Sequence, residues 1–274
     1  MSGRPYAHIR GSEPSVTTII ESMLGKPGLT WAAARETAEF AVHHRDEWDG
    51  LETDAAVDRL RRHFRGVWDS RAAMGTAAHA VNEAWCRGEE VDLLALVGDM
   101  AETNRQARSW AGREEDVVRS LDLYVAGLEA FWSEWSPTTV RAEYVVRQPG
   151  TYIGTADWLV DMRGRRVLLD IKTTAKPDGG IYADSWSLQL SAYRFARERV
   201  EFGWEDGRPV ELGAHPNEIP DAAAVIHLRG DGRYALYEIQ ATLEMHETFL
   251  GLAAARARLA ALPVPTPTNR ETAA

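Results

Sequence analysis

Asp157, Asp170 and Lys172 are the residues of this 274-residue chain that first call for a chemical explanation. Asp170 interrupts an apolar run, Val167-Leu-Leu-Asp-Ile171, where a charge is costly to bury unless it is paired or bound to metal. Side chains alternate faces along a strand, so Leu168, Asp170 and Lys172 share one face, and Val167, Leu169 and Ile171 the other. Asp170 and Lys172 then stand about 7 Å apart along the strand. Asp157 lies in the preceding alternating run and reaches the same neighbourhood if the two runs form a hairpin. Two carboxylates and a lysine at one place fit a divalent metal with a polar substrate. The competing reading is a salt-bridged pair on a solvated sheet face. Lysine is scarce here: Lys26, Lys172 and Lys176 are the only lysines among 31 basic residues, which makes Lys172 more informative than a lysine usually is.

The elements that must position these residues follow from periodicity. Tyr152 to Met162 and Arg166 to Thr173 form a hairpin about Arg163-Gly164-Arg165, and Val140 to Gln148 is a strand before it. Ser15 starts a helix that Gly25-Lys-Pro-Gly28 breaks. Further helices are expected over Leu29 to His44, Thr53 to Trp68, Ser70 to Arg87, Asp92 to Trp110 and Glu114 to Trp135, the last ended by Pro137. A helix over Ala183 to Arg199 precedes a loop-rich stretch, Glu201 to Pro220. Ala222 to Arg229 and Tyr234 to Gln240 make a second hairpin, and Leu243 to Leu262 closes the fold. The order predicts an α/β protein: one central mixed sheet with helices on its faces. A single domain is expected over 15–262, with a mainly helical lobe over 15–136 and a sheet-containing core over 137–262. Flexible tails are expected at 1–14 and 263–274.

Composition bounds the function. The chain is 45% hydrophobic and 26% charged, ordinary for a globular protein, and no apolar run approaches the roughly 18 residues that span a bilayer. Met1 to His8 lacks a signal-peptide apolar core, and a cytoplasmic location is expected. The one cysteine, Cys86, excludes an internal disulfide and a cysteine-ligated zinc or iron–sulfur site. The net charge of −10 argues against nonspecific coating of nucleic acid, but not against an enzyme with a local basic groove.

Other residues join the first three. His79 lies on a helix with Glu83 one turn on. Glu143 lies in the first strand, and Gln189 and Tyr193 share a helix face. Histidine, carboxylates and a backbone carbonyl suit Mg²⁺ or Mn²⁺. Such an ion acidifies water and neutralises phosphoryl charge, and a lysine beside it stabilises the charge that develops. Arg61, Arg62 and Arg65 lie on a basic helix face that is either solvated or a phosphate contact. Trp31, Trp68 and Trp186 are candidates for stacking on bases, with core packing the default for each.

In order, Gly75-Thr-Ala-Ala-His79, Gly154-Thr-Ala-Asp157, Asp170-Ile-Lys-Thr173 and Gln189-Leu-Ser-Ala-Tyr193 resemble the motifs of the PD-(D/E)XK nuclease superfamily, and within it the RecB-like exonucleases, over residues 15 to 250. The resemblance implies a restriction-endonuclease-like core and a metal-dependent DNA exonuclease giving 5′-phosphate products in phage or bacterial recombination, repair or replication. It implies one or two Mg²⁺ or Mn²⁺ ions held by His79, Asp157, Asp170 and the Ile171 carbonyl, with Glu143 supporting a second ion or its waters. Lys172 would position the water, Gln189 and Tyr193 would orient the lysine and the DNA backbone, and Thr173 would support the site by hydrogen bonding. Arg61, Arg62, Arg65, Thr173, Trp186 and Arg194 are the expected DNA contacts. Single strands or DNA ends are the expected substrate, and a recombination or single-strand-binding protein the expected partner. Many RecB-like relatives hold an iron–sulfur cluster on four cysteines, and this chain cannot, so cysteine-free members are the better comparison. The alternatives are a structure-specific endonuclease and a catalytically silent DNA-binding module on the same fold.

Overall fold

The computed structural model describes residues 13–25, 27–176, 180–206 and 208–263. Of the tails expected at 1–14 and 263–274, residues 1–12 and 264–274 lie outside these residues. Glu13 and Pro14, expected in the tail, are held: the Ile153 amide donates to the Pro14 carbonyl at 3.1 Å and the Gly150 amide to Glu13 Oε1 at 3.0 Å.

Five helices come first: α1 (Val16–Leu24), α2 (Pro27–His43), α3 (Thr53–Cys86), α4 (Leu93–Thr103) and α5 (Glu114–Trp135). Then follow β1 (Thr138–Gln148), β2 (Tyr152–Met162), β3 (Arg165–Thr174), α6 (Ala183–Phe195), β4 (Glu198–Glu205), β5 (Arg208–Pro216), β6 (Ala222–Arg229), β7 (Tyr234–Glu238) and α7 (Leu243–Ala260). Local chemistry sets several boundaries. Ser15 caps α1 by accepting from the Thr18 amide, Asp92 caps α4, and Thr242 caps α7. Ser136 adopts a left-handed conformation that stops α5 just before Pro137. Arg163 and Gly164, both at positive φ, make the tight two-residue turn between β2 and β3.

The strands form one sheet in the order β5-β4-β1-β2-β3-β6-β7. It is mixed: β3 and β6 run parallel, and the other neighbours are antiparallel. Period-2 alternation divides β3 and β6 between two helical layers. Val167, Leu169, Ile171, Ala224 and Ile226 pack with α3, α4 and α5, while Leu168, Ala223 and Val225 pack with α1, α6 and α7. Among the described residues no helix is long and apolar enough to cross a membrane.

Three expectations about elements are corrected. The helices expected at 53–68 and 70–87 are one helix of 34 residues, because Asp69 and Ser70 do not interrupt its turns. The stretch 92–110 is α4 followed by a 3₁₀ segment, Arg105–Trp110, which begins where Asn104 accepts from the Gln106 amide. The stretch read as loop from 201 to 220 contains most of a hairpin, β4 and β5, so α6 ends at Phe195 rather than at Arg199. Gly203, Pro209, Gly213 and Pro216 suggested loop, but β5 is an edge strand, where prolines are tolerated. Arg147 ties this hairpin to β1 through ion pairs with Glu198 and Glu211.

Candidate active site

The site forms where a hairpin stops pairing. The ladder between β2 and β3 runs from Met162 and Arg165 to Trp158 and Leu169, and no farther. Beyond it, side chains satisfy the backbone of β3. The Ile171 amide donates to Asp157 Oδ2 at 2.8 Å. The Ile171 carbonyl lies 2.9 Å from His79 Nε2, on α3, and as an acceptor it sets that nitrogen as the N–H. His79 Nδ1 is left facing carboxylates, 3.6 Å from Asp157 Oδ2 and 3.7 Å from Glu143 Oε1. Metal-ligating histidines are commonly oriented this way, with the second ring nitrogen donated to a carbonyl. The Ile171 carbonyl, expected as a ligand, already lies against His79 Nε2.

Glu143 stands opposite Asp157 in the β1–β2 register, between the pairs Ala142–Trp158 and Tyr144–Ala156. Regular alternation would put both of those pairs on one face. Instead Ala142 and Trp158 pack in the α3–α5 layer, and Tyr144 and Ala156 in the α1–α6–α7 layer. The ribbon turns over at Glu143, whose φ of 47° lies in the left-handed region that non-glycine residues avoid. Such strain collects at functional sites. Two carboxylates directly across a strand pair repel each other, which a cation between them would relieve. One ligand atom from each of His79, Glu143 and Asp157 lies within 4.8 Å of the other two.

Asp170 is placed differently. Its side chain is 1% exposed, and its Oδ1 accepts from Gln189 Nε2 at 3.0 Å. Its Oδ2 is paired with Lys172 Nζ at 2.5 Å. Gln189 also donates to Tyr193 Oη at 3.2 Å, so α6 braces the acid from behind. Two glycines permit this packing. A Cβ on Gly154 would meet Tyr193 Cε1 at 2.6 Å, and one on Gly75 would meet Thr173 Oγ1 at 3.2 Å. The close approach, which no periodicity reports, explains why the motifs of His79 and Asp157 begin with glycine.

Burial works to lower the pKa of His79, but Asp157 and Glu143 outweigh it and raise the imidazole to about 9. Burial pushes the Asp157 carboxyl above its usual range against the pull of His79. Burial likewise lifts Asp170 to about 6 although Lys172 opposes the rise. The donor set fits a hard divalent ion: one imidazole nitrogen facing two carboxylates. His79, Glu143 and Asp157 would hold such an ion, with Asp170 Oδ2 adjoining.

The remaining expected contacts separate. Arg61, Arg62 and Arg65 are exposed on α3. Arg61 and Arg65 precede His79 by close to five and four whole turns, so they lie on its stripe of the helix, about 27 and 21 Å along the axis. Trp186 is corrected: it is buried, edge-on to His227 and Tyr182, and offers no face to a base. Arg194 is corrected too: its guanidinium donates to the carbonyls of Pro220, Asp221 and Ala241, which uses its fork internally. Glu83 pairs with Arg87 at 2.7 Å and stays outside the cluster. Trp31 is 79% exposed on α2.

This fold and this cluster define a nuclease-like α/β protein. The family model of the PD-(D/E)XK nuclease superfamily matches residues 33–263, and the chain belongs to that superfamily. The chain is similar to a solved structure described as "Crystal structure of SSO0001", at 17% identity over 60% of this chain and 74% of that one, with a TM-score of 0.32. No curated protein matches.

Proposed function

We propose that the protein is a Mg²⁺- or Mn²⁺-dependent DNA exonuclease that leaves 5′-phosphate products and serves phage or bacterial DNA recombination, repair or replication. The observation that carries the hydrolytic part is the meeting of the His79–Glu143–Asp157 cluster with the Asp170–Lys172 pair where β2 and β3 separate. The motif order 79, 157, 170–172, 189–193 supports the exonuclease part, through its resemblance to RecB-like enzymes.

A divalent ion at the cluster supplies acidified water and neutralises phosphoryl charge. The chain's own groups do the rest. His79 is held by the Ile171 carbonyl, so its other nitrogen stays aimed at the cluster. Lys172 orients the attacking water and stabilises charge on the phosphoryl oxygens as the bond to the 3′-oxygen breaks in line. Gln189 and Tyr193 fix Asp170, and through it Lys172. Arg61 and Arg65 offer phosphate contacts on the stripe that leads to His79, so binding weakens as salt rises.

Digestion of 5′- and 3′-labelled linear strands beside a closed circle tests this reading. Terminal nucleotides released from the linear strands, with the circle intact, is the expected result. Cutting of the circle would replace the exonuclease by an endonuclease. Binding without any metal-dependent cutting would leave a silent DNA-binding module.

A further inference from the structure

The sheet face that holds Asp170 and Lys172 carries another cation. In the parallel pairing of β3 with β6, Lys172 stands opposite His227 and Thr174 opposite Arg229. Residues in register share a face, so Arg229 lies on Lys172's side, one strand over and two residues farther along. Their Cα atoms are then about 8 Å apart. This is the carboxyl end of a parallel pair, the end at which open α/β sheets bind their ligands. The first turn of α6 stands there too, because Trp186 packs on His227.

The backbone fixes Arg229 in place. The Gly230 amide donates to the Thr174 carbonyl at 2.8 Å, and the Arg229 amide to the Arg233 carbonyl at 2.9 Å. A Cβ on Gly230 would meet the Ala175 carbonyl oxygen at 2.8 Å, so only glycine lets β6 close on the end of β3 here. The turn residue seen in the sequence is therefore also a spacer that lets the Arg229 backbone close on Thr174, at the end of the strand that carries Lys172.

The guanidinium is underused. Arg229 is half-buried, its Nε is buried with no hydrogen-bond partner, and Nη2 donates to Tyr237 Oη at 3.3 Å. Among the described residues no carboxylate pairs with it, whereas Arg45, Arg87, Arg147 and Arg166 all have one. His227, between Arg229 and Lys172, likewise has a buried Nδ1 without a partner. A half-buried cation with no carboxylate partner suits an anion, and phosphate is an anion that guanidinium matches.

We propose that Arg229 binds a non-scissile phosphate of the substrate strand, next along from the phosphate engaged at Lys172. The identity of the strand as DNA rests on the function proposed above, while the anion site rests on Arg229 itself.

The test is equilibrium binding of a labelled single strand in Ca²⁺, across a salt series, for the wild type, Arg229→Gln and Arg229→Lys. Arg229→Gln should bind roughly tenfold more weakly or worse. Its slope of log K against log salt should fall by about 0.7, the value of one lost phosphate contact on a single strand. Arg229→Lys should recover the slope. For the wild type, a single uncharged methylphosphonate linkage beside the scissile one should weaken binding by a similar factor, and that loss should vanish in Arg229→Gln. A wild-type slope in Arg229→Gln, or no wild-type sensitivity to any methylphosphonate near the scissile linkage, would overturn the site. The second measurement needs no variant to fold. A wild type that binds the strand in this pattern but cuts nothing in Mg²⁺ or Mn²⁺ would end the exonuclease reading and support the Arg229 site. A cutting enzyme with an unaltered slope in Arg229→Gln would end the Arg229 site alone.

Discussion

The β2–β3 hairpin carries an acid–base pair at each end, and the two pairs behave in opposite ways. At the turn end Arg166 grips Asp161 with two hydrogen bonds, at 2.6 and 3.0 Å, directly across the ladder. That pair is largely in water, and Arg166 holds the Asp161 carboxyl below its usual range. At the open end Lys172 lies as close to Asp170, yet burial wins and the carboxyl rises to about 6. Solvent decides the difference. In water a partner stabilises the charge at little cost in desolvation; in the interior the desolvation cost exceeds the partner's contribution. A buried pair held at that cost is suited to chemistry, and an exposed one to surface structure.

Substitutions at the two ends should separate most widely. Lys172→Ala or Asp170→Ala should lower cleavage by at least roughly 10²–10³-fold, while Asp161→Ala and Arg166→Ala leave kcat near wild type. Equal losses at both ends, in single-turnover assays, would erase the distinction. Next in size, His79→Ala and Glu143→Gln should raise the metal concentration for half-maximal cleavage by roughly tenfold or more; an unchanged metal requirement would remove them from the ion's shell.

Gly154→Ala, at the open end, forces a Cβ to within 2.6 Å of Tyr193 and should destabilise the fold by about 1–3 kcal/mol in urea melts. A neutral result would mean that Tyr193 yields and does not brace Asp170. Protons sharpen the comparison further. The folded pKa of His79, about 9, lies above its ordinary 6.5, so the folded protein keeps a proton that the unfolded chain has released between those values. Its stabilisation is therefore complete below about pH 6.5 and lost as the pH rises to about 9. Thermal melts in chelator should show that decline, His79→Asn should flatten it, and Asp161→Asn should leave it in place.

Much of the open end was legible in the sequence because its signals are local. Asp170 breaks an apolar run, Lys172 follows at strand spacing, and Gln189 and Tyr193 fall one turn apart. The alternation that assigned Leu168 and Leu169 to opposite faces matches the two helical layers. What was not legible depends on departures from regularity. Glu143 enters the cluster because β1 turns over at a left-handed residue, a feature that period-2 counting hides. Trp186 and Arg194 stand as DNA contacts when α6 is taken alone, but α6 is covered by β6 on one side and α7 on another. The β4–β5 hairpin is hidden in the sequence because its glycines and prolines mark an edge strand as readily as a turn. Gly75 and Gly154 owe their identity to side chains distant in sequence, Thr173 and Tyr193.

The most direct test is cleavage of an end-labelled single strand by the wild type and Lys172→Ala, each in Mg²⁺, in Mn²⁺ and in EDTA, with both proteins shown to be folded by circular dichroism. The wild type should cut with either metal and not in EDTA, and Lys172→Ala should not cut measurably under any of the three conditions. Cutting that persists in EDTA, or in Lys172→Ala at the wild-type rate, would contradict a metal-dependent nuclease site built on the open end of this hairpin.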